Sequence, residues 1–249
     1  MKISNLKTLS IVGAAVLCSH AAVAGTWSLG ASALGDVNPY RGYDNKVLPV
    51  PIVSYEGDDF YFKSLTAGYY LWKDDKNKFS ATTTYVPFGF DPDDSDDNQM
   101  KHLNKRRGTL YAGLAYSHIE DWGTLRATFN GDVLNNSNGL LADAAYLYPI
   151  RQDNWALIPG FGVMYNSSNQ NDYYYGVTKG ESRRSGLSSY SADDSFSPYA
   201  ELSARYNFTR EWQAFFTGRY IRLADEVKDS PMVDKSYSAI IWTGVTYTF

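Results

Sequence analysis

The side chains able to do chemistry in this chain are few, and their spacing limits what they could do. There are three histidines, His20, His102 and His118. Nucleophilic hydrolysis needs a base within hydrogen-bond reach of an activated hydroxyl or thiol. Ser117 precedes His118, but adjacent residues of a strand point to opposite faces, so the two do not meet. His102 lies in a charged stretch beside no positioned nucleophile. No catalytic residue is therefore expected. The run Asp91-Pro92-Asp93-Asp94-Ser95-Asp96-Asp97 gathers oxygens of the kind calcium takes. It lacks the glycine and distal glutamate of a dedicated loop, and a solvated charged loop is the simpler reading. Neither a metal nor a cofactor is expected. What remains is a set of charges at alternating positions: Arg126, Asp132, Asp143, Glu201, Arg205 and Arg219. Only a scaffold that aims every second residue to one side would bring them together.

The apolar residues indicate such a scaffold. Leu125, Ala127, Phe129, Gly131 and Val133 alternate with Thr124, Arg126, Thr128, Asn130 and Asp132. Phe196, Pro198, Ala200, Leu202, Ala204, Tyr206 and Phe208 alternate with Ser195, Ser197, Tyr199, Glu201, Ser203, Arg205 and Asn207. A period of two places one set on each face of a strand. Strands this long, apolar on one face and hydrophilic on the other, suit an antiparallel transmembrane β-barrel with lipid outside and water inside. Strands of a soluble sandwich are usually shorter.

Read this way, strands are predicted over Trp27–Gly35, Val47–Tyr55, Phe79–Phe88, Thr109–Ile119, Thr124–Leu134, Leu140–Ile150, Trp155–Tyr165, Ser195–Phe208, Trp212–Leu223 and Ser236–Phe249. In Phe60–Trp72 the apolar phase changes, which calls for a bulge or tight turn near Lys63–Thr66. Two short strands there give twelve in all, an even number as barrels of this class require. Ten is the alternative, if the first strand lies outside the wall. With twelve, the short connections Glu56–Asp59, Lys73–Lys78, Glu120–Gly123, Arg151–Asn154 and Thr209–Glu211 fall on the periplasmic side. Asp36–Lys46, Gly89–Gly108, Asn166–Asp194 and Ala224–Lys235 become long outer loops, in which no helical segment of note is expected. Trp27, Trp122, Trp155, Trp212 and Tyr237 stand near strand ends, where amphipathic rings favour the headgroup zone.

The N-terminus supports the same compartment. Lys2 and Lys7 precede the apolar run Leu9–Leu17, and Ala22-Val23-Ala24 gives the small-x-small pattern of a cleavable signal peptide. Cleavage after Ala24, with Gly25 as the mature start, is expected over a lipoprotein signal at Cys18, because Leu17 stands where a small residue belongs. Residues 25–249 are then one domain without cysteine, more acidic than the net −4 of the whole chain. That balance disfavours nucleic acid, which rewards basic patches. Export to the Gram-negative outer membrane follows, with membrane lipid as a partner. Whether the inward charges plug the lumen or line a solute path is open, and a mostly closed lumen is favoured.

Several segments resemble the MipA/OmpV family: Asn38-Pro39-Tyr40, Pro49-Val50-Pro51-Ile52, Tyr55-Glu56-Gly57-Asp58, Asp132–Gly139, Asn169–Val177, Glu181–Leu187 and Asp229–Ser236. They are spread over essentially the whole mature chain, which ends Tyr247-Thr248-Phe249, similar to the signal read by the barrel-assembly machinery. The resemblance implies a non-catalytic outer-membrane adaptor. It would bring a murein-cleaving lytic transglycosylase and a bifunctional penicillin-binding synthase into one complex. Yet the periplasmic turns are short, and most of the distinctive motifs fall on outer loops. Asn135, Asn138, Tyr173, Tyr174, Tyr175, Arg183, Arg184, Asp229 and Asp234 are the candidate recognition residues there. Asn135–Gly139 has the composition of a turn held by its own side chains, and Tyr173–Tyr175 could fold over the barrel mouth. Packing of the loops on one another and recognition of a ligand are about equally supported.

Overall fold

A computed structural model describes residues 25–249; the expected signal peptide and its cleavage site lie outside the described residues. The strands are β1 (Gly25–Val37), β2 (Lys46–Gly57), β3 (Phe60–Lys63), β4 (Thr66–Lys73), β5 (Asn77–Val86), β6 (Thr109–Glu120), β7 (Gly123–Asp132), β8 (Leu140–Leu147), β9 (Ile150–Gln152), β10 (Trp155–Asn166), β11 (Ser195–Asn207), β12 (Trp212–Arg222) and β13 (Tyr237–Thr248). All pairings are antiparallel and follow chain order. β13 returns to β1, with Leu29 opposite Tyr247 and Ala33 opposite Thr243, so the wall closes. β8 and β9 both pair with β10 and share one wall position, interrupted at Tyr148-Pro149. The barrel thus has twelve strand positions. Closure leaves no free edge where the first and last strands meet.

The alternation fixes what faces where. Leu29, Leu114, Leu125, Phe129, Phe161, Phe216 and Ile241 project outward and are exposed, an apolar surface suited to hydrocarbon. Trp27, Trp122, Trp155, Trp212 and Tyr237 are also exposed near strand ends. Ser80, Thr82, Ser195 and Ser197 point inward and are buried. Small hydroxyl residues fill the interior while bonding across strands, as Thr66 with Thr84 at 3.0 Å and Ser203 with Thr217 at 2.9 Å.

The phase change in Phe60–Trp72 is a tight turn. Ser64 takes φ +55° between β3 and β4, so the alternation restarts after it. The outer loops correct the expectation that they hold no helix. α1 (Ser168–Tyr175), α2 (Lys179–Ser185) and α3 (Asp225–Lys228) all lie in them. α2 begins with a capping box: the Thr178 hydroxyl accepts from the Glu181 amide at 3.2 Å, and the Glu181 carboxylate accepts from the Thr178 amide at 3.0 Å. This reciprocal pattern satisfies two amides left free at a helix start. The helix stops at Gly186, whose φ of +77° suits a residue without Cβ.

Candidate functional site

The lumen and its two mouths hold the polar groups this fold brings together. Register places Glu201 of β11 directly opposite Arg219 of β12. Nε and Nη2 of Arg219 donate to Glu201 Oε2 at 3.0 and 2.5 Å. Arg126 reaches the same carboxylate from β7, donating at 3.2 and 3.4 Å. Asp143 of β8 lies 3.7 Å from Arg219 and 3.9 Å from Arg126, and accepts from the Tyr199 hydroxyl at 2.9 Å. The Arg219 guanidinium also sits 4.2 Å from the centre of the Tyr199 ring. Two guanidiniums and two carboxylates balance in a strut tying β7, β8, β11 and β12 together inside the barrel. In a poorly solvated interior such ions persist only when mutually paired.

Of the six inward charges named from alternation, four meet in this strut: Arg126, Asp143, Glu201 and Arg219. Two do not. Asp132, at the outer end of β7, accepts from the Thr109 hydroxyl at 2.6 Å and from the amides of Leu134, Ser137 and Asn138 at 2.9, 2.6 and 3.1 Å. It shapes the turn, in which Asn135 and Asn138 adopt φ +57° and +53°. That turn is therefore held mainly by Asp132 rather than by its own asparagines. Arg205 lines the opposite, periplasmic end of the lumen. Tyr199, whose ring and hydroxyl knit the strut together, was not singled out from sequence, although it stands on the same inward face.

The outer mouth is roofed. Tyr40, Tyr43, Phe90, Met100, Leu103, Val177, Leu187 and Met232 come from four separate loops and form one buried apolar cluster. The Tyr40 hydroxyl donates to Tyr174 O at 3.1 Å, and the Ser230 hydroxyl to Tyr175 O at 2.6 Å. Gln170 and Asn171 of α1 fasten the roof to the wall, donating to the Tyr111 and Ser195 hydroxyls at 2.7 and 2.8 Å. Within the roof Glu181 is fully buried and Arg106 nearly so, 2.8 Å apart. Burial alone would raise the Glu181 carboxyl. The amides of Asn104 and Thr178, with the Arg106 charge, outweigh it and hold the group below its ordinary value. Burial pushes the Tyr175 hydroxyl up to about 12.

Tyr174 and Tyr175 of the candidate recognition set thus belong to the roof, and the Tyr173 hydroxyl accepts from the Arg107 amide at 2.8 Å. Asn135, Asn138, Arg183, Arg184, Asp229 and Asp234 stay exposed on the outer loops. Arg184 donates to Asn104 Oδ1 at 2.8 Å. Three of the five carboxylates of the acidic run are engaged by cations: Asp91 with Lys105, Asp94 with Lys46, and Asp97 with Arg41. The Lys105 ammonium lowers Asp91 from its ordinary range. The Arg106–Glu181 pair was missed from sequence. Thr178-x-x-Glu181 was its one local signal, and the pairing itself joins two loops far apart in the chain.

The periplasmic mouth is different. A cavity of about 470 Å³ opens there between Ser28, Ser54, Lys63, Arg205, Phe215 and Trp242, among others. At its rim Glu56 is flanked by Lys63, Lys73 and Lys78 at 3.0, 3.6 and 3.7 Å, and accepts from the Tyr70 hydroxyl at 2.5 Å. Three ammonium groups gather around this one carboxylate, while Asp58, Asp59, Asp74 and Asp75 stand exposed on the adjoining turns, so the rim carries a local lysine cluster beside acidic turns. Further cavities of about 340 and 290 Å³ continue from mid-lumen to the underside of the roof.

The family described as "MltA-interacting protein MipA" matches residues 29–249. The MltA-interacting protein of Escherichia coli K12 is 49% identical over 99% of this chain and 100% of its own length. The putative outer membrane protein YiaT of the same organism is 42% identical over 92% of this chain and 93% of its own. Among solved structures, an outer membrane channel from Pseudomonas putida F1 gives a TM-score of 0.45 at 11% identity, covering 92% of this chain and 97% of that one.

Proposed function

The chain belongs to the MltA-interacting protein MipA family, and from that premise we propose that it is a non-catalytic adaptor of the outer membrane. Its partners in this reading are a periplasmic lytic transglycosylase and a bifunctional penicillin-binding synthase. The name carried by a relative of nearly half-identical sequence supports the first partner. The second comes from family resemblance alone. The single observation that carries the reading is the asymmetry of the two mouths. The outer one is roofed by a packed core, while the inner one opens beside a cluster of three lysines around Glu56. Short turns alone offer little area, and a stable interface needs about 1,000 Å² or more. An open mouth adds a concave surface to those turns. Lys63, Lys73 and Lys78 would steer an acidic patch of the partner toward it.

The test is a pull-down of purified transglycosylase by the barrel in nanodiscs, at low and moderate salt. Lys63→Glu with Lys73→Glu and Lys78→Glu should lower capture at least tenfold, without changing the heat-modifiable gel mobility of the folded barrel. No capture by the unaltered barrel ends the reading. Full capture by the triple variant moves the interface away from the mouth.

A second reading, a channel for small solutes or ions, is favoured by the cavities that follow one another along the lumen. Planar-bilayer recording separates the two. Steady conductance that changes with Arg219→Ala or Glu201→Ala supports the channel, and a silent barrel supports the adaptor.

A further inference from the structure

The β3–β4 hairpin does not reach the top of the wall. β3 pairs with β2 only along Ser54–Glu56, and the turn at Ser64–Leu65 ends the hairpin inside the wall. There the Ser64 amide donates to Val53 O at 3.0 Å, and Leu65 O accepts from the Tyr85 amide at 2.8 Å. Above that tip β2 and β5 do not pair or close on each other. An opening is left, bounded by β2 from Val47 to Val53 and by Tyr85–Gly89 continuing from β5. Its upper edge is the Tyr43–Ser95 bridge and the Lys46–Asp94 ion pair. At roughly 3.3 Å per residue, the five residues Val47–Pro51 make its side about 15 Å long.

The backbone around the opening is unusual. Val53 and Tyr85 direct their hydrogen-bonding groups toward the hairpin, so by alternation positions 47, 49 and 51 of β2, and 87 beyond β5, direct theirs into the gap. Residues 49, 51 and 87 are all proline. Proline has no N–H to leave unpaired in hydrocarbon. It also denies donors to any strand of a second protein that might add to this edge. The edge is therefore poorly suited to β-augmentation and presents fewer unpaired polar groups to lipid than an ordinary strand edge, its carbonyls remaining.

We propose that this opening is a lateral window through which one acyl chain of an outer-leaflet lipid enters the lumen. The window is continuous with the lipid-facing surface: Val47, Pro49, Pro51, Val53 and Tyr85 are all exposed on its outer side. Val86, on its inner edge, lines both the mid-lumen cavity of about 340 Å³ and the cavity of about 290 Å³ under the roof. The latter is walled by Val86, Phe88, Tyr111, Leu141, Met164 and Ile240, with Tyr40 and Tyr175 above. Most of its lining surface is apolar and matches a hydrocarbon chain, with Asp36, Asn38, Asn166, Gln170 and Asn171 as polar points on its wall, and the packed loops above obstruct direct entry from the outer medium. Small-molecule sites are of the same order of volume, roughly 300–1,000 Å³. The inference is independent of the adaptor reading.

The test uses a bimane fluorophore on Val86→Cys, whose side chain points inward beside the window. The only native cysteine is Cys18, in the expected leader. The folded barrel is placed in nanodiscs of dioleoylphosphatidylcholine or of its analogue brominated at mid-chain. Bromination should quench the Val86 label as strongly as a label on lipid-facing Leu125→Cys. It should leave one on Ser203→Cys, inward on β11 at the opposite side of the barrel, at a ratio near one. Phe88→Cys gives the same readout should Val86→Cys fail to show heat-modifiable folding. Labels at both window positions that respond like Ser203→Cys, or that are quenched by aqueous iodide and not by brominated chains, overturn the window.

Discussion

Replacing Glu181 by glutamine should loosen the roof and leave the barrel intact. Glutamine keeps the shape and removes the charge. Arg106, at 7% exposure, then faces a neutral amide, and the new carboxamide nitrogen competes with donors already aimed at this site from Asn104 and Thr178. Breaking a buried ion pair by removing one partner costs about 3–5 kcal/mol. At about 1.4 kcal/mol per decade, local opening becomes on the order of 10²–10³ times more frequent. The wall is held by its own backbone ladders and should not share the loss. Hydrogen exchange in detergent or nanodiscs reads both regions at once. Amides within 100–107 and 177–190 should lose protection by that factor, while those of β6, β11 and β12 keep theirs. The carboxyl also sets a pH dependence. Its folded value lies below the ordinary one, so its contribution is full above the unfolded pKa of about 4.3. It is lost as pH falls through the folded value. Roof protection of the unaltered chain should therefore weaken below about pH 4, and Glu181→Gln should lack that component. Unchanged exchange in the loops, or equal loss in loops and wall, would refute the idea of a separately stable roof.

Glu201→Gln leaves Arg126 and Arg219 facing each other inside the barrel and should destabilise it by about 3 kcal/mol, measured by urea unfolding in detergent; no change would mean that Asp143 suffices. Pro51→Ala gives the window a backbone N–H without a partner and should cost about 1–3 kcal/mol in the same assay. That reverses the usual effect of removing proline from a strand, and a gain in stability would mean that the gap is closed. Deleting Phe249 removes one hydrogen bond, donated by its amide N–H to Trp27 O at 3.0 Å and worth about 1 kcal/mol. Refolding in vitro should then change little while the yield of heat-modifiable barrel in cells falls severalfold; equal loss in both would make the residue merely structural.

Much of the wall was legible because a membrane barrel writes itself into the sequence with a period of two. Leu125, Phe129, Leu202 and Phe216 face lipid and Arg126, Glu201 and Arg219 face inward because neighbouring side chains alternate, whatever the partner strands are. The turn near Ser64 showed as a break in that phase, and twelve positions followed from an even strand count. The same rule placed Arg126, Asp143, Glu201 and Arg219 on the inner face. Alternation gives a side and not a height, so it could not separate them from Asp132 at the outer rim or Arg205 at the periplasmic end.

The loops were legible only in part. α2 had a local signal in Thr178 and Glu181, but α1 and α3 are short and owe their order to what surrounds them. The roof exists because Tyr40, Phe90, Val177 and Met232, distant in sequence, bury one another above the same mouth. No local pattern records that. The prolines at 49 and 51 read from sequence as part of a family motif, and Pro87 fell within the predicted strand Phe79–Phe88. Their common property, a missing donor at three of the four gap-facing positions, emerges only when β3 stops short and leaves the upper part of β2 and the end of β5 unpaired on that side. The residue sequence by itself determined sides, strand order and compartment, because those depend on local periodicity. Which charges meet, what closes the outer mouth and where the wall opens depend on strand stagger and loop packing, and those the tertiary structure alone decided.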